Sequence, residues 1–377
     1  MLFVFWLCLL TILYVYFGYP ALLAGGVLGK RRETLRAPSG HSVSILIPAF
    51  NEEANIQAKL ANVLAQDYDR GPMEVLVGSD GSTDSTARMV QEFPDRRVRL
   101  IDSKQRRGKS AVQNDLAANA HGSFLVFTDA DCMLPENAIS QISSHFADPI
   151  VGLVTNCAAI DNESETGIVQ SEGIYWKYEK WLREQESARG LLAVASGSLF
   201  GMRRELWSPL DDNVGDDFVF PLQVVRHGYL NVLDGSIRAR TRLTQNKARS
   251  MLRMKVRIIS KDLRGLLTNH ECLNPFKVGR IAVGLWSHKL LRWAIPYFLI
   301  GLLVSTFFLS AQPLFRSFLV VQLLFYGLSL LGLLVGSDRF RFPISVASSF
   351  CLVNLAALFG TLHCLSFRTA GQWKTVR

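Results

Sequence analysis

The chain has 377 residues, 49% of them hydrophobic and 19% charged, with a formal net charge of +9. That length leaves room for one soluble domain together with membrane segments, and the apolar share is high for a wholly soluble protein. The basic excess does not fit a nucleic-acid binder, because no basic stripe with interleaved aromatics occurs; it gathers beside apolar segments, at Lys30, Arg31, Arg32 and Arg36, through residues 249–264, and at Lys289 and Arg292, as anionic headgroups and cytoplasmic retention would favour.

Residues 1–29 carry no charge and are long enough to cross a hydrocarbon core of roughly 30 Å as a helix. The stretch lacks a basic n-region, is too long for a cleaved leader's apolar part, and is followed by Lys30-Arg31-Arg32, so a retained anchor is expected. From residue 36 to about residue 232, short apolar runs alternate with longer amphipathic ones. Val43-Ser44-Ile45-Leu46-Ile47 reads as a buried parallel strand. Pro48-Ala49-Phe50-Asn51-Glu52-Glu53 reads as a turn into a helix reaching Gln66. Val75-Leu76-Val77 is a second strand, Ser82-Thr83-Asp84-Ser85 starts a helix to Phe93 with Ser or Thr as N-cap, and residues 98–101 form a short strand. A helix over 108–120 leads into the strand Phe124-Leu125-Val126-Phe127-Thr128. Such alternation predicts a mostly parallel sheet with helices on both faces, where ligands bind at the carboxyl ends of strands.

Beyond Asp131 the pattern loosens. Residues 151–156 and 197–202 look like strands. Residues 163–185 form a long polar helix with Trp176, Tyr178 and Trp181, and residues 216–226 a helix with an acidic first turn that suits its dipole. Residues 250–267 form a basic amphipathic helix able to lie on a membrane surface. The runs 293–310, 317–337 and 343–367 lack Lys, Arg, Asp and Glu and can each span a bilayer. The six cysteines form no CxxC pair and the seven histidines do not cluster, so neither a disulfide framework nor a zinc site is expected, and the soluble part belongs in a reducing compartment. The expected division is an anchor over 1–29, a transferase domain over 36–245, basic interfacial helices over 246–292, about three membrane helices over 293–367, and a basic tail over 368–377.

Three acidic turns carry the chemistry. Asp129-Ala130-Asp131 leaves a buried strand. If the backbone stays extended, both carboxylates lie on one side, where Mg²⁺ or Mn²⁺ can bridge them to a diphosphate and neutralise its charge as a sugar–phosphate bond breaks. Asp80, in Ser79-Asp80-Gly81-Ser82-Thr83-Asp84, can accept hydrogen bonds from a base N–H or a ribose hydroxyl, whereas Asp84 is equally explained as a helix cap. Arg106-Arg107-Gly108-Lys109-Ser110 is a basic turn at a helix start. Either Lys109 approaches the diphosphate with backbone N–H groups helping, or the turn is simply solvated. In Gly215-Asp216-Asp217, one carboxylate can take the proton from an attacking acceptor hydroxyl; Asp217 is the expected base, with Asp216 orienting it or capping the helix.

These segments closely resemble the family 2 inverting glycosyltransferases: Ser44-Ile45-Leu46-Ile47-Pro48-Ala49-Phe50-Asn51-Glu52-Glu53, then Ser79-Asp80-Gly81-Ser82-Thr83-Asp84, then Arg107-Gly108-Lys109-Ser110 with Asn114, then Thr128-Asp129-Ala130-Asp131. The family includes cellulose, hyaluronan and poly-N-acetylglucosamine synthases and many bacterial exopolysaccharide transferases. The resemblance covers residues 42–265. It implies a GT-A α/β fold with transmembrane helices at both ends, a nucleotide-sugar donor (a UDP-sugar by family expectation), and inversion at the anomeric carbon. By carry-over, Pro48, Ala49, Glu52 and Asp80 border the nucleoside. Asp129, Ala130 and Asp131 hold the diphosphate, with Asp129 and Asp131 as ligands of Mg²⁺ or Mn²⁺. Lys109 and Arg257 complete the donor set, and Asp216 and Asp217 match the family's Glu-Asp pair.

One departure bears on the product. Processive synthases carry Gln-x-x-Arg-Trp before an interfacial helix, and here Met254-Lys255-Val256-Arg257-Ile258 keeps only the arginine. Addition of one sugar to a lipid-linked, polyprenyl or glycan acceptor is therefore expected over polymer synthesis; a processive synthase and a polyprenyl-phosphate transferase remain the alternatives. The expected setting is a multi-pass protein of the inner membrane with a cytoplasmic catalytic domain, touching lipid, donor and acceptor, with no nucleic-acid partner, and able to join a polysaccharide-assembly complex. One span before the domain and three after it leave the C-terminus outside, whereas Arg368, Lys374 and Arg377 favour the inside; one segment is re-entrant, or the charge rule fails.

Overall fold

The computed structural model describes residues 1–38, 40–157, 159–160, 167–241, 248–335 and 344–366, with backbone alone at 159–160, 167–175, 248 and 335. The expected helix start at Glu163, the run ends at Ser337 and Pro343, and the basic tail lie outside these residues.

The chain opens with helix α1 (Leu2–Ala24). A seven-stranded sheet follows, in the order β3-β2-β1-β4-β8-β6-β9. Its first half comprises β1 (Val43–Ala49), β2 (Met73–Asp80), β3 (Val98–Ser103) and β4 (Phe124–Thr128), all parallel. β8 (Leu199–Arg203) runs antiparallel to both β4 and β6 (Val151–Asn156), and β9 (Leu230–Asp234) is parallel to β6. Every residue of β1 and β4 is buried, which is why both read as unbroken apolar runs rather than alternating ones. β5 (Cys132–Met133), β7 (Ala159–Ile160) and β10 (Arg240–Thr241) make a second, three-stranded sheet.

Helices cover both faces. On one side α2 (Ile56–Leu64), α3 (Thr86–Gln91) and α5 (Ala138–His145) pack Ile56, Leu60, Val63, Val90, Ile139 and Ile142 against the sheet. On the other, α4 (Lys109–Ala118) contributes Val112 and Leu116, and α7 (Asp216–Arg226) contributes Val219, Phe220 and Val224. The chain runs outward through β1, β2 and β3, then returns to place β4 on the opposite side of β1. The reversal creates a switch point between β1 and β4, where crossovers diverge and a crevice opens at the carboxyl ends. Ala49, Asp80 and Thr128 end the three adjacent strands there. β1 therefore runs through Pro48 and Ala49, which the sequence placed in the following turn, and Asp80 is the last residue of β2.

Helix α6 (Gly167–Ser187) leads back towards the membrane segments, and α8 (Ala248–Thr268) lies between the sheet domain and the C-terminal helices. The apolar face of α8 packs along α11 (Ile344–Leu365), where a Cβ on Gly360 would sit 2.9 Å from Ile259. That face also joins Leu263 and Leu266 to Phe218 and Leu222 of α7. The amphipathic pattern is thus satisfied by protein on two sides rather than by a membrane surface. The other long helices are α9 (Ile281–Leu309) and α10 (Pro313–Leu334); together with α1 and α11 they are four helices long and apolar enough to cross a membrane. Phe3, Phe17, Phe307, Phe308 and Val321 stand exposed on them, apolar side chains of the kind that meet lipid. α9 begins well before the charge-free run 293–310, because Lys289 and Arg292 sit inside the helix and turn towards protein. Both α1 and α9 contain a π-helical stretch, Tyr14–Gly18 and Leu285–Leu290, and these meet where Tyr14 Oη lies 2.8 Å from Ser287 Oγ.

Candidate active site at the strand ends

The first two loops of the crevice clasp each other. Asn51, the one non-glycine residue of positive φ among the described residues, accepts a hydrogen bond from Thr83 N (2.8 Å) through Oδ1. Glu52 N donates to Thr86 Oγ1, and the Glu52 carboxylate accepts from Asn55 Nδ2 at 2.7 Å. Ser85 stands at the N-cap of α3, as expected of a serine or threonine, but makes no side-chain cap hydrogen bond; Asp84, one residue earlier, accepts from Thr86 N at 3.0 Å instead. Asp80 is buried, and both its oxygens accept backbone N–H groups of the basic turn, from Arg107 at 2.6 Å and Gly108 at 2.9 Å. Gly108 has φ 99°, a conformation that needs glycine and lets the turn close onto the carboxylate.

That closure aims the start of α4 at the second half of the site. Lys109 Nζ lies 2.8 Å from Asp129 Oδ1 and 3.1 Å from Asp216 Oδ2. Gln113, one turn along, donates to Asp216 Oδ2 at 2.7 Å. Ser110 Oγ donates to Val214 O, and Asn114 clasps Leu210 through both its backbone groups, each at 2.8 Å. One face of α4 therefore holds the whole loop that delivers Asp216 and Asp217. The stretch Ser196-Gly197-Ser198 closes the other side: a Cβ on Gly197 would stand 3.4 Å from Asp217 Oδ2, and Ser198 O accepts from Asp129 N. Ala130 is buried in the acidic turn, while Asp131 faces outward.

The adjacent carboxylates have opposite titration behaviour. Burial works against ionisation of Asp216, but Lys109 and Gln113 outweigh it and hold its pKa below the ordinary value. Burial, and then the Asp216 charge, push Asp217 up to about 6. A third carboxyl, Asp262 of α8, converges on the same place: a Cβ on Gly215 would lie 2.8 Å from Asp262 Oδ1 and 3.1 Å from Asp217 Oδ1. Burial and the Asp217 charge raise Asp262 well above the usual carboxylate range. Lys261 feels the charges of Asp216, Asp217 and Lys109, and Arg257 stands one helical turn before it. Gln113, Lys261 and Asp262 were not singled out in the sequence. Asp262 had a signal, being the sole acid among six basic residues in 249–264.

Behind Asp217 the domain meets the membrane helices through a buried ion network. Glu179 Oε1 of α6 accepts from His288 Nε2 (3.0 Å) and Arg183 Nε (3.2 Å), and its Oε2 from Arg292 Nη1 (2.8 Å). Glu186 accepts from His288 Nδ1 (2.8 Å) and from Tyr19 Oη of α1 (2.7 Å). Burial raises the Glu179 carboxyl, but His288 and Arg292 prevail and hold it well below its ordinary range.

A mostly parallel sheet with helices on both faces and an acidic strand-end turn is the architecture that a GT-A transferase domain requires, and comparison with known proteins assigns it to that class. The chain is similar over 96% of its length, and 99% of the other's, to the structure of mannosyltransferase PcManGT from Pyrobaculum calidifontis in complex with GDP-Man and Mn²⁺ (TM-score 0.71, 21% identity), a likeness of fold. Residues 44–208 match Glycosyl transferase family 2, so the chain carries a family 2 glycosyltransferase domain. It is 34% identical over 126 residues to UDP-Glc:alpha-D-GlcNAc-diphosphoundecaprenol beta-1,3-glucosyltransferase WfgD of Escherichia coli, covering 33% of this chain and 49% of that one. It is 26% identical over 160 residues to beta-monoglucosyldiacylglycerol synthase of Synechocystis, covering 41% of this chain and 33% of that protein. The matched segments thus span a third to a half of these relatives.

Proposed function

We propose that this protein is a membrane-bound, metal-dependent inverting glycosyltransferase that moves one sugar from a nucleotide-sugar, a UDP-sugar by family expectation, to a hydroxyl of a lipid-linked acceptor. The observation that carries the proposal is the Lys109 ammonium bridging Asp129 of the strand-end turn to Asp216, next to Asp217. One cation thereby joins the diphosphate-holding turn to the general-base loop.

Asp129 and Asp131 would hold Mg²⁺ or Mn²⁺. No group of three His, Cys, Asp or Glu side chains is arranged as a metal cage among the described residues. Two hard carboxylates that leave the other positions to phosphate oxygens and water suit these ions, which are bound that way in phosphate-handling sites. When bound, the ion would neutralise negative charge on the departing nucleoside diphosphate. Lys109 would share that work from the protein side, with Arg257 and Lys261 as further cations. Asp217, tuned to about 6 by burial and by Asp216, is deprotonated at neutral pH and basic enough to take the acceptor hydroxyl's proton. The acceptor oxygen then bonds to the anomeric carbon, the carbon–phosphate oxygen bond breaks, its electrons leave with the diphosphate, and the proton stays on Asp217. Asp216 remains ionised and holds Lys109 in place.

A lipid acceptor is supported by the apolar helices, two of which, α9 and α11, share a cluster with Phe218 next to Asp217, and by two relatives whose names specify a diphosphoundecaprenol-linked substrate and a monoglucosyldiacylglycerol product. A cytoplasmic domain at the inner membrane is supported by the basic residues of α8 and α9 that flank the spans, and a role in envelope or exopolysaccharide assembly by the diphosphoundecaprenol-linked substrate that one relative's name specifies. The test is turnover in native membranes with a panel of UDP- and GDP-sugars and Mg²⁺ or Mn²⁺. Label entering solvent-extractable lipid, and lost in Asp217→Asn, is the expected result. Label in high-mass polymer would make the enzyme processive, and lipid label undiminished in Asp217→Asn would indicate a phosphate acceptor needing no base.

A further inference from the structure

The inner face of α2 is formed by Ile56, Lys59, Leu60 and Val63, the i, i+3, i+4, i+7 positions of an amphipathic helix. One of the four is a lysine, and it is 0% exposed. A methylene stem suits that stripe, but its ammonium is strongly disfavoured there unless charges and hydrogen bonds offset the loss of water. Lys59 Nζ donates to Thr128 Oγ1 at 2.8 Å and to the carbonyl oxygen of Cys132 at 2.5 Å. Those residues stand immediately before and immediately after Asp129-Ala130-Asp131. Thr128 Oγ1 passes its own proton to Ser198 O at 3.0 Å, and that carbonyl also receives Asp129 N at 3.3 Å. Both flanks of the acidic turn are therefore tied from inside the domain.

We propose that Lys59 is a positioning residue for the acidic turn, stapling its two flanks and placing a fixed positive charge beneath carboxylates that must receive a metal–diphosphate. This rests on the reading of that turn given above. Burial lowers the amine to about 8, so most of it is charged at neutral pH. The staple approaches from the side opposite Lys109. Lys109 can thus exchange carboxylate for phosphate as donor binds, while Lys59 keeps the turn in shape.

The test uses the full chain in lipid nanodiscs, with Mn²⁺ and UDP or GDP as probes, titrated by calorimetry and by the Mn²⁺ spin-resonance signal. Lys59→Met keeps volume only, and Lys59→Gln restores a donor without charge. Unliganded unfolding midpoints are recorded for each. The expected result is Mn²⁺–nucleotide affinity at least about tenfold weaker in folded Lys59→Met, with part of the loss recovered in Lys59→Gln. Unchanged affinity in folded variants, with only a lower unfolding midpoint, would overturn the proposal and leave Lys59 as a stabilising residue. Should neither variant fold, Thr128→Val decides, since it removes one of the two staples: weakened binding supports the role and unchanged binding overturns it. Wild-type protein that binds neither nucleotide in a Mn²⁺-dependent way would instead defeat the reading of the turn itself.

Discussion

The crevice at the strand ends and the junction with the membrane helices both gather charged side chains, yet they are built differently. At the crevice, the acidic groups of the three turns sit at the ends of strands or the start of a helix, and their partners come from neighbouring loops and helix starts, as with Asp80 on the backbone of Arg107 and Gly108 and with Asp129 on Lys109. At the junction, the groups come from helices far apart in the chain: Tyr19, Glu179, Glu186, His288 and Arg292. The crevice leaves its ions partly open so that a ligand can replace their partners. The junction encloses its ions and pairs them with one another. The first arrangement suits exchange, and the second suits holding the domain at one height and angle against the membrane.

The sharpest break in that comparison is Asp217→Asn. Loss of the general base should lower turnover by about 10²–10⁴-fold, while Mn²⁺-dependent nucleotide binding, read by calorimetry, stays near wild type. Equal loss of binding would move Asp217 into the donor site. Next comes the junction. Glu179→Gln leaves His288, Arg183 and Arg292 facing an uncharged amide, and breaking a buried ion pair in this way costs about 3–5 kcal/mol. A clear drop in unfolding midpoint is expected, with the donor KM of the folded fraction unchanged. A normal midpoint with altered KM would mean that the network serves the site rather than the attachment.

Lys109→Met comes third. It removes the bridge between Asp129 and Asp216, so donor affinity should fall at least about tenfold, some 1.4 kcal/mol. Stability should change less than in Glu179→Gln, because this ammonium is partly reached by water and binds a ligand-exchangeable pair. The two variants therefore separate the regions: one trades stability, the other affinity.

The same division governs what could be read in the sequence. Asp80, Asp129, Asp131, Asp216 and Asp217 were legible because each follows a short buried run or opens a helix, so local pattern alone places it at a strand end or a helix start. The parallel sheet was legible for the same reason, and the fold agrees with the family expectation. The junction was not. His288 and Glu179 pair across more than a hundred residues, and no local period announces that. The start of α9 was hidden because Lys289 and Arg292 interrupt an apolar run, although both are accommodated by protein inside the helix. α10 likewise begins at Pro313, before Arg316, whose guanidinium bends back to Ser310 O and Ala311 O at the helix start. Lys59 was overlooked because a lysine is ordinarily a solvated residue; its place on an apolar stripe was the missed sign.

The smallest effects should appear in pH profiles, and they test whether the carboxyls around Asp217 act as neighbours. Asp217 must be ionised to accept a proton, so kcat/KM should rise with pH through about 6. The sign for stability is the reverse. A carboxyl whose folded pKa is raised binds a proton that the unfolded chain has already released, so this group's contribution to stability falls as pH rises from about 4 towards 6. Asp216→Asn removes the adjacent negative charge and frees Lys109, both of which favour ionised Asp217, so the activity limb should move below 6. Asp262→Asn should move that limb less. Burial and the Asp217 charge raise the Asp262 carboxyl well above its ordinary value, whereas Lys109 and Gln113 hold Asp216 below its own, so an amide in place of Asp262 removes less negative charge than one in place of Asp216. A limb that moved as far in Asp262→Asn as in Asp216→Asn would mean that Asp262 carries its charge at neutral pH, which would place a second anion, rather than a hydrogen-bonding neutral group, beside the base.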